Sequence, residues 1–409
     1  MKMRLPALAR AALATMTAMA ELAMTRPAHD SLTRQPPPQP PFTQALTPEP
    51  LEFPRDRGPH PDYRQEWWYL TGNLDSTGGE RFGFELTIFR FALAPGAAER
   101  VRTGSQPGAE SSRWRTHQIY LGHFAVTDVA RHRFRFATRL ARGALGLAGA
   151  KADPFRVWVG NWEIGQIAPR GEVAALRPAA KQPDAKGPAW RLQAAGQGYV
   201  LSLAARPLMS PVLNGENGLS RKSGEPGNAT YYYSIPRISV EGTIVRDGRP
   251  LRVHGLAWLD REWGSGSLGP RETGWDWFGL QLGDGSCLMF YSLRDRDGAQ
   301  DPYSAGTWID PAGQARPLSR GDVRIQVLGY WTDADGARYP ARWHLVMPAT
   351  GLDLTVQPVL ADQELVTSPR YWEGAVDVSG TRLGKNVAGR GYVELVGYAK
   401  TKGEPVGIR

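Results

Sequence analysis

Hydrophobic and polar residues alternate in short segments along most of the chain from about residue 60 onwards. In "RFGFELTIFR" the alternation gives two faces, one with Phe82, Phe84, Leu86 and Ile88 and the other with Gly83, Glu85, Thr87 and Phe89. The segment "YVELVGYA" repeats the pattern, with Tyr392, Glu394 and Tyr398 on one face and Val393, Leu395 and Gly397 on the other. Because turn signals separate such segments, the pattern predicts an all-β sandwich or barrel.

Turn-rich stretches divide the chain. The longest lie at about 95–113, 166–189 and 206–229, and we expect the third to close a first domain. A chain of 409 residues exceeds what one hydrophobic core usually supports, so two domains are expected. The predicted boundaries are 59–235 for the first domain and 236–405 for the second.

The N-terminus resembles an export signal. Lys2, Arg4 and Arg10 precede a short apolar run that ends in "AMA", an A-x-A-like cleavage site. We expect a signal peptide at 1–25 and a periplasmic or secreted protein; a disordered cytosolic tail is the alternative. Residues 26–58, which include "PPPQPPFTQ", are predicted to form an exposed proline-rich linker.

Charge and cysteine content limit the classes of function that the chain can have. The formal charge of +9 comes from 49 basic and 40 acidic side chains that are scattered rather than clustered, which argues against a nucleic-acid partner and allows weak attraction to an anionic membrane surface. Cys287 is the only cysteine, so no intramolecular disulfide can form, and "GSCLMFYS" predicts a buried thiol. Because the chain lacks Walker and G-x-S-x-G motifs, we expect a site without a cofactor.

The segment "TGWDWFGLQLGDG" contains a candidate acid. Alternation places Trp275, Trp277 and Gln281 on one face and Asp276 on the other, which is otherwise apolar. If that face is interior, desolvation raises the pKa of Asp276 and keeps it partly protonated, as a general acid requires. The alternative is an aspartate that binds a turn amide.

The segment "HGLAWLDREWGSGSLG" places Trp258, Asp260 and Glu262 on one face and Leu259, Arg261 and Trp263 on the other. Charged groups that end a strand before a Gly-Ser-Gly turn are candidates for the rim of a pocket. A surface ion network formed by Asp260 and Arg261 is the alternative. For Trp263, beside the glycine turn, a pocket wall is the favoured interpretation.

The segment "HQIYLGHFAVTD" aligns His117 and His123 on one face. No third ligand stands at a familiar zinc spacing, so no metal site is predicted. His123 is interpreted as a hydrogen-bonding or proton-handling residue paired with a distant carboxylate, or as a core histidine with satisfied hydrogen bonds.

In "RQEWWYLTG", Glu66 and Trp68 point to one side of the strand while Trp67 and Tyr69 point to the other. We expect one indole of the Trp67–Trp68 pair to pack in a core and its neighbour to face a cavity. The segment "RYWEGAVDVSG" is a loose counterpart, since it also places adjacent aromatic residues beside a glutamate.

Taken together, "EWWYLTGNL", "HFAVTD", "GLAWLDREWGS", "GWDWFGLQL", "YWEGAVDVSG" and "GYVELVGY" resemble the AttH-type proteins related to bacterial carotenoid 1,2-hydratases, sometimes labelled predicted secreted hydrolases. The resemblance extends from about residue 60 to residue 400. It implies two tandem lipocalin-like antiparallel β-barrels packed together, with an apolar ligand cavity.

The resemblance also implies a chemistry. In the hydratase branch a carboxylic acid protonates an isoprenoid double bond, water captures the cation, and no cofactor takes part. In this chain the implied catalytic residues are Asp276, Trp263 and Glu66. The implied substrate-binding residues are Trp67, Trp68, Tyr69, His123, Asp260, Arg261, Glu262, Trp275, Trp277, Tyr371, Trp372, Glu373 and Tyr392.

One position departs from the family pattern. Many relatives carry histidine where this chain has Arg261, and an arginine is permanently charged and cannot shuttle protons. Near Asp276 it would lower the pKa of that carboxyl and oppose acid catalysis.

Three functions fit these features. The first is an enzyme that hydrates, cyclises or hydrolyses an apolar isoprenoid or lipid. The second is a non-catalytic protein that carries a lipid outside the cytoplasm, in association with a membrane surface or an ABC transporter. A polysaccharide hydrolase with tryptophan platforms fits the composition but not the resemblance.

Overall fold

The computed structural model describes residues 41–95, 116–167, 189–266, 268 and 271–399. The predicted signal peptide at 1–25 and residues 26–40 of the predicted linker lie outside the described residues and remain predictions. In the described part, 3-10 helices occur at Arg55–Arg57, Arg320–Asp322 and Pro348–Thr350. No helix among these residues has the length and apolar character that crossing a membrane requires.

The first sheet contains thirteen antiparallel strands. They are β1 (Gln65–Ser76), β2 (Arg81–Ala92), β3 (Gln118–Asp128), β4 (Arg133–Arg142), β5 (Ala148–Ala152), β6 (Phe155–Val159), β7 (Trp162–Gln166), β8 (Trp190–Gly196), β9 (Tyr199–Pro207), β10 (Val212–Leu213), β11 (Leu219–Arg221), β12 (Ala229–Arg246) and β13 (Arg249–Gly264). Their order is β4-β3-β2-β1-β13-β12-β9-β8-β7-β6-β5, and the short β10 and β11 pair with β12.

The second sheet contains ten antiparallel strands. They are β14 (Glu272–Leu282), β15 (Cys287–Asp295), β16 (Ala305–Ile309), β17 (Ala315–Ser319), β18 (Arg324–Thr332), β19 (Arg338–Met347), β20 (Leu352–Pro358), β21 (Glu364–Leu365), β22 (Tyr371–Arg382) and β23 (Lys385–Val396). Their order is β17-β16-β15-β14-β23-β22-β20-β19-β18, and β21 pairs with β22.

Each sheet curls into a barrel around its own core. In the first barrel, β3 and β4 pack over β5, β6 and β8, so closely that a Cβ added to Gly196 would lie 2.4 Å from the Cβ of Ala137. Large buried side chains fill both interiors, with Trp68 and Trp162 in the first core and Trp343 in the second. The predicted all-β fold of two lipocalin-like antiparallel barrels is confirmed, with interiors occupied by side chains.

A third hydrophobic cluster lies between the barrels. The outer faces of β1 and β2 pack against β22 and β23, so these strands are buried on both faces. Polar groups cross the contact: Asn73 donates from Nδ2 to the carbonyl of Gly391 at 3.0 Å, and Gln281 donates from Nε2 to the carbonyl of Ala257 at 3.0 Å. Residues that would face solvent in a single barrel are therefore sealed between two.

The change from one sheet to the other falls between Gly264 and Glu272, later than the predicted boundary at residue 235. The reason is that β12 and β13 both belong to the first sheet, where β13 pairs with β1. The turn-rich segment 206–229, interpreted as the end of the first domain, instead lies within that sheet and contains β10 and β11.

Candidate functional site

A row of polar side chains crosses the outer face of the first barrel. Strand register places His123 opposite Thr87, Thr87 opposite Tyr69, Tyr69 opposite Asp260, and Asp260 opposite Ser234. Directly opposed side chains on one face lie about 5 Å apart, so five strands present one continuous polar row. All five residues are buried because the second barrel covers them.

The second barrel presents a matching row. Tyr291 lies opposite Trp277, Trp277 opposite Glu394, and Glu394 opposite Glu373. Glu373 and Glu394 are thus direct neighbours on β22 and β23, and like charges in that arrangement repel each other.

Two hydrogen bonds join the rows. The hydroxyl of Tyr69 donates to Oε1 of Glu373 at 2.5 Å, and the hydroxyl of Tyr371 lies 2.5 Å from Nδ1 of His123. Each bond links one barrel to the other. The segments that contain Tyr69 and Glu373, which echo one another in the sequence, therefore meet in space.

We call the two rows, together with Glu85, Tyr371 and Tyr392, the interbarrel cluster. The carboxyl groups of this cluster have raised pKa values. Burial, with a smaller contribution from the charge of nearby Glu85, raises the pKa of Glu394 to about 8. Burial, together with the charges of Glu394 and Glu85, raises the pKa of Glu373 well above its usual range, although the Tyr69 hydroxyl offsets part of this effect. At neutral pH the cluster therefore holds protonated carboxylic acids, which can act as proton donors.

Several buried polar atoms in the cluster have no hydrogen-bond partner among the described residues. They are both carboxyl oxygens of Glu85, Oε2 of Glu373, Nε2 of His123, Oγ1 of Thr87 and the hydroxyl of Tyr392. Thr87 and Tyr371 approach Glu85 and lower its pKa slightly, but neither makes a hydrogen bond of normal geometry with it. Native proteins rarely leave so many buried polar atoms unpaired, so these atoms make the cluster a candidate functional site.

Glu85 is suited to exchange protons, and His123 to form hydrogen bonds while it stays neutral. Burial raises the pKa of Glu85 to about 7, so both of its protonation states are populated near neutral pH. Burial lowers the pKa of His123 to about 4, which keeps the imidazole neutral. Its contact with Tyr371 leaves Nε2 as the free ring nitrogen.

Asp260 binds three donors at the edge of the cluster. The hydroxyls of Ser234 and Tyr232 lie 2.5 Å and 2.6 Å from its carboxyl oxygens, and the indole N–H of Trp258 donates at 2.6 Å. Tyr232 in turn accepts a hydrogen bond from the indole of Trp277 at 3.1 Å. Burial raises the pKa of Asp260 to about 7, and the three donors oppose that shift. Asp260 therefore holds its neighbouring side chains in position, and its carboxyl oxygens are occupied by these donors.

Glu262 forms an ion pair beside this network. Nζ of Lys222 lies 2.9 Å from a carboxyl oxygen of Glu262 and sits 4.4 Å from the ring centroid of Tyr291, and the Thr230 hydroxyl also donates to Glu262. Through Lys222, segment 206–229 contacts Tyr291 of the second barrel. The surface network predicted as an alternative for Asp260 and Arg261 is not found, since both residues are buried and face opposite sides of β13.

Glu66 lies in the core of the first barrel, apart from the cluster. Its carboxylate accepts from the guanidiniums of Arg90 and Arg261 and from the backbone N–H of His60 at 3.0 Å and 3.1 Å. Burial alone would raise its pKa, but the two arginines hold the pKa of Glu66 well below its usual range. Trp263 stacks on His60 with ring centroids 3.9 Å apart. These residues form a structural ion cluster with no protonated acid.

Asp276 faces the core of the second barrel, on the interior face that alternation predicted. Its carboxylate accepts from the Arg294 guanidinium and from the Tyr398 hydroxyl at 2.9 Å and 3.1 Å. Burial raises the pKa of Asp276, and Arg294 and Tyr398 oppose the shift. The arginine beside Asp276 is thus Arg294, whereas Arg261 is bound to Glu66 in the other barrel.

The two adjacent tryptophans of β1 point to opposite sides of the strand, as alternation predicted, and the expectation that one of them faces a cavity stays a prediction. Trp68 packs in the first core and donates from Nε1 to the carbonyl of Arg57 at 2.8 Å, while Trp67 is half-buried against the interbarrel cluster. Trp372 is the counterpart of Trp68 in the second barrel. Trp275 faces the interbarrel contact, where its indole donates to Glu394 at 3.2 Å.

The structure divides the predicted site residues into three groups. Glu66, Trp68, Arg261 and Trp263 lie inside the first barrel, and Asp276 and Trp372 lie inside the second. Between the barrels lie Trp67, Tyr69, His123, Asp260, Glu262, Trp275, Trp277, Tyr371, Glu373 and Tyr392. The sequence-based site omitted Glu85 and Glu394, whose signal was a single glutamate on a strand with otherwise apolar or small residues.

Among the described residues, one group of three carboxylate side chains could bind a metal ion. Oxygen atoms of Glu272, Asp295 and Asp301 lie within 4.8 Å of one another. Arg271 lies 3.3 Å from Asp295 and neutralises part of that charge. Oε2 of Glu272 and Oδ1 of Asp295 are buried without a hydrogen-bond partner among the described residues, and oxygen ligands of this kind suit Ca²⁺ or Mg²⁺.

The fold and the cluster define a class: a tandem lipocalin-like protein with buried acids at the contact between its barrels. A family model described as AttH-like matches residues 44–398, and the chain belongs to this family. A crystal structure of a Nitrosomonas europaea protein assigned as an AttH has 31% sequence identity and a TM-score of 0.71, and the match covers 87% of this chain and all of that one.

Named enzymes are more distant relatives. Kievitone hydratase of Fusarium solani subsp. phaseoli is 26% identical over 177 residues, which is 41% of this chain and 49% of that protein. Dehydratase asqC of Emericella nidulans is 22% identical over 232 residues, 50% of this chain and 60% of that protein. The chain thus aligns with about half of these enzymes' lengths. The crystal structure of kievitone hydratase from Nectria haematococca shares the fold, with 16% identity, a TM-score of 0.59, and coverage of 88% of this chain and 98% of that one.

Proposed function

We propose that this protein adds water to, or removes water from, an apolar substrate that binds at the interbarrel cluster. The observation that carries the proposal is Glu373, a fully buried carboxyl that lies directly opposite Glu394 and is hydrogen-bonded across the barrel contact to Tyr69. The relationship to proteins named hydratase and dehydratase supports the same reaction class.

The acid step belongs to Glu373. Its protonated carboxyl transfers a proton to one carbon of a substrate double bond, which forms a C–H bond and leaves a cation on the neighbouring carbon. Burial, with the charge of Glu394 adding to it, keeps the pKa of Glu373 high, so the proton is present at neutral pH. A positioned acid of this kind contributes roughly 10²–10⁴-fold to rate.

The water step belongs to Glu85 and His123. A water molecule forms a C–O bond with the cation, and its surplus proton passes to the Glu85 carboxylate, while Nε2 of His123 orients that water. The proton then returns from Glu85 to Glu373 through the cluster, which restores both groups. Dehydration is the same sequence in reverse, with the carboxyl groups exchanging roles.

Aromatic rings would bind the apolar part of the substrate. Trp277 and Tyr69 stand edge to face with ring centroids 5.3 Å apart, and Trp67 and Trp275 lie partly open beside them. Ring faces near a carbocation stabilise it by roughly 0.5–2 kcal/mol each. No cofactor is required by this scheme.

Carriage of a lipid inside either barrel is less well supported. The described side chains fill both interiors, and Asp276 is already bound by Arg294 and Tyr398. The unpaired acids and bases instead face the contact between barrels, where they have no use in simple carriage.

The test is turnover in ¹⁸O-labelled water. The full-length protein is incubated with isoprenoid polyenes and with tertiary isoprenoid alcohols, and mass spectrometry follows gain of labelled water or loss of water. We expect Glu373→Gln to abolish turnover and Asp276→Asn to retain it. Turnover that is lost only in Asp276→Asn would assign the acid to the second barrel, and an apolar molecule in an organic extract without any turnover would favour a carrier.

A further inference from the structure

An exposed apolar surface follows strand β4. Leu140, Leu145 and Leu147 have 49%, 44% and 45% of their surface exposed, within eight residues of chain. Trp158 extends this surface, since its indole N–H donates to the carbonyl of Gly146 at 3.0 Å. We call Leu140, Leu145, Leu147 and Trp158 the leucine patch. Exposed apolar groups gathered in this way mark an interaction site more often than scattered ones do.

The backbone at the centre of the patch opposes the presence of leucine. Leu145 has φ 54° and Gly146 has φ 73°, in a turn closed by the N–H of Leu147 and the carbonyl of Ala144 at 3.0 Å. Leucine is disfavoured in this left-handed region, where glycine, asparagine and aspartate are tolerated. In the equivalent turn between β12 and β13, Asp247 occupies this position with φ 50°. Asparagine is therefore compatible with this turn, so Leu145 can be replaced without loss of the fold.

Positive charges surround the leucine patch. Arg142 lies on the same face of β4 as Leu140, and Lys151 follows on β5. Within the described ranges, neither of the two forms an ion pair with a carboxylate, whereas Arg156 nearby is paired with Glu163 at 2.8 Å. Arg139 lies on the other face of β4, where its guanidinium stacks on Trp162. The formal charge of the whole chain, +9, adds to the local excess. An apolar patch with a cationic rim is complementary to an anionic bilayer surface.

We propose that the leucine patch docks the protein on an anionic membrane surface. Leu145 and Leu147 enter the headgroup region, and Arg142 and Lys151 contact anionic headgroups. This inference goes beyond the proposed reaction and does not depend on it.

The test compares two leucines in the same kind of turn. Leu383 lies between β22 and β23 with φ 50°, is followed by Gly384 with φ 75°, and is 70% exposed. Because asparagine is tolerated in this conformation, Leu145→Asn and the matched control Leu383→Asn both preserve the fold. Full-length protein and both variants are sedimented with vesicles of phosphatidylcholine alone and of phosphatidylcholine with phosphatidylglycerol.

We expect wild type to bind the vesicles that contain phosphatidylglycerol, and high salt to weaken that binding. Leu145→Asn should bind roughly tenfold more weakly, while Leu383→Asn should match wild type. Absence of wild-type binding, or an equal loss in Leu383→Asn, would overturn the proposal. Concentration-dependent oligomers that Leu145→Asn abolishes, without vesicle binding, would assign the patch to a second copy of this chain and overturn it as well.

Discussion

The hydroxyl of Tyr69 in the first barrel donates a 2.5 Å hydrogen bond to the carboxyl of Glu373 in the second. Both side chains leave the outer faces of their barrels, and the contact between barrels buries them completely. The acid and its hydrogen-bond donor thus come from different sheets. Packing of the two barrels, more than either barrel alone, creates the candidate site.

Removal of the Tyr69 hydroxyl tests that bond. Tyr69→Phe leaves Oε1 of Glu373 without its donor, which should destabilise the protein by about 1–3 kcal/mol. Since the Tyr69 hydroxyl lowers the pKa of Glu373, its loss should raise that pKa and shift the alkaline limb of the pH–rate profile upward. The control Tyr120→Phe removes a hydroxyl bound to Gln118 at 2.8 Å and should leave the limb unchanged. Equal pH profiles for both variants would contradict the assignment.

Glu85 should make stability depend on pH. Its pKa is about 7 in the folded protein, above the 4.5 of an unperturbed glutamate, so between those pH values the unfolded chain loses a proton that the folded protein keeps. Stability therefore falls as pH rises through this window, by on the order of 3 kcal/mol for this group. Glu85→Gln should remove that contribution, as measured by urea unfolding at several pH values.

A matched substitution at an exposed glutamate provides the control for this pH dependence. Glu241→Gln, on the exposed part of β12, should leave the wild-type slope intact. A Glu85→Gln protein with the same slope as wild type would show that Glu85 ionises normally in the fold.

Arg261 should matter for stability, through Glu66. Arg261→Met removes one of two guanidiniums from a fully buried carboxylate, and breaking such a pair costs about 3–5 kcal/mol. Arg131→Met breaks an exposed pair with Asp247, joined at 2.6 Å, and should cost at most about 1 kcal/mol. Chemical denaturation of both variants measures the difference. Similar losses of unfolding free energy in the two variants would mean that the buried ion cluster at Glu66 stabilises the protein no more than an exposed ion pair does.

Local alternation in the sequence predicted which side chains share a face. On β13 it separated Asp260 and Glu262 from Arg261, and on β1 it separated Trp68 from Trp67, as the structure shows. Alternation cannot indicate what covers the outer face of a barrel. Glu85 and Glu394 were therefore not included in the predicted site, although the other barrel covers both, burying Glu85 and leaving Glu394 partly exposed.

The sequence pattern also does not indicate which distant strands pair with each other. The boundary expected at residue 235 rested on turn composition, but β13 returns to pair with β1 almost two hundred residues earlier in the chain. Arg261 was expected near Asp276 because both belong to neighbouring motifs. Strand register instead directs Arg261 into the first barrel and Asp276 into the second.

Infrared spectroscopy of the carboxyl groups at neutral pH tests the central claim most directly, because it requires no substrate. A buried protonated carboxylic acid shows a carbonyl stretch that an ionised carboxylate lacks. We predict such a band in wild type at pH 7, clearly reduced in Glu373→Gln and retained when Glu66→Gln replaces the carboxylate of the structural ion cluster. A wild-type spectrum without the band, or a band that Glu373→Gln leaves unchanged, would contradict a protonated acid between the barrels.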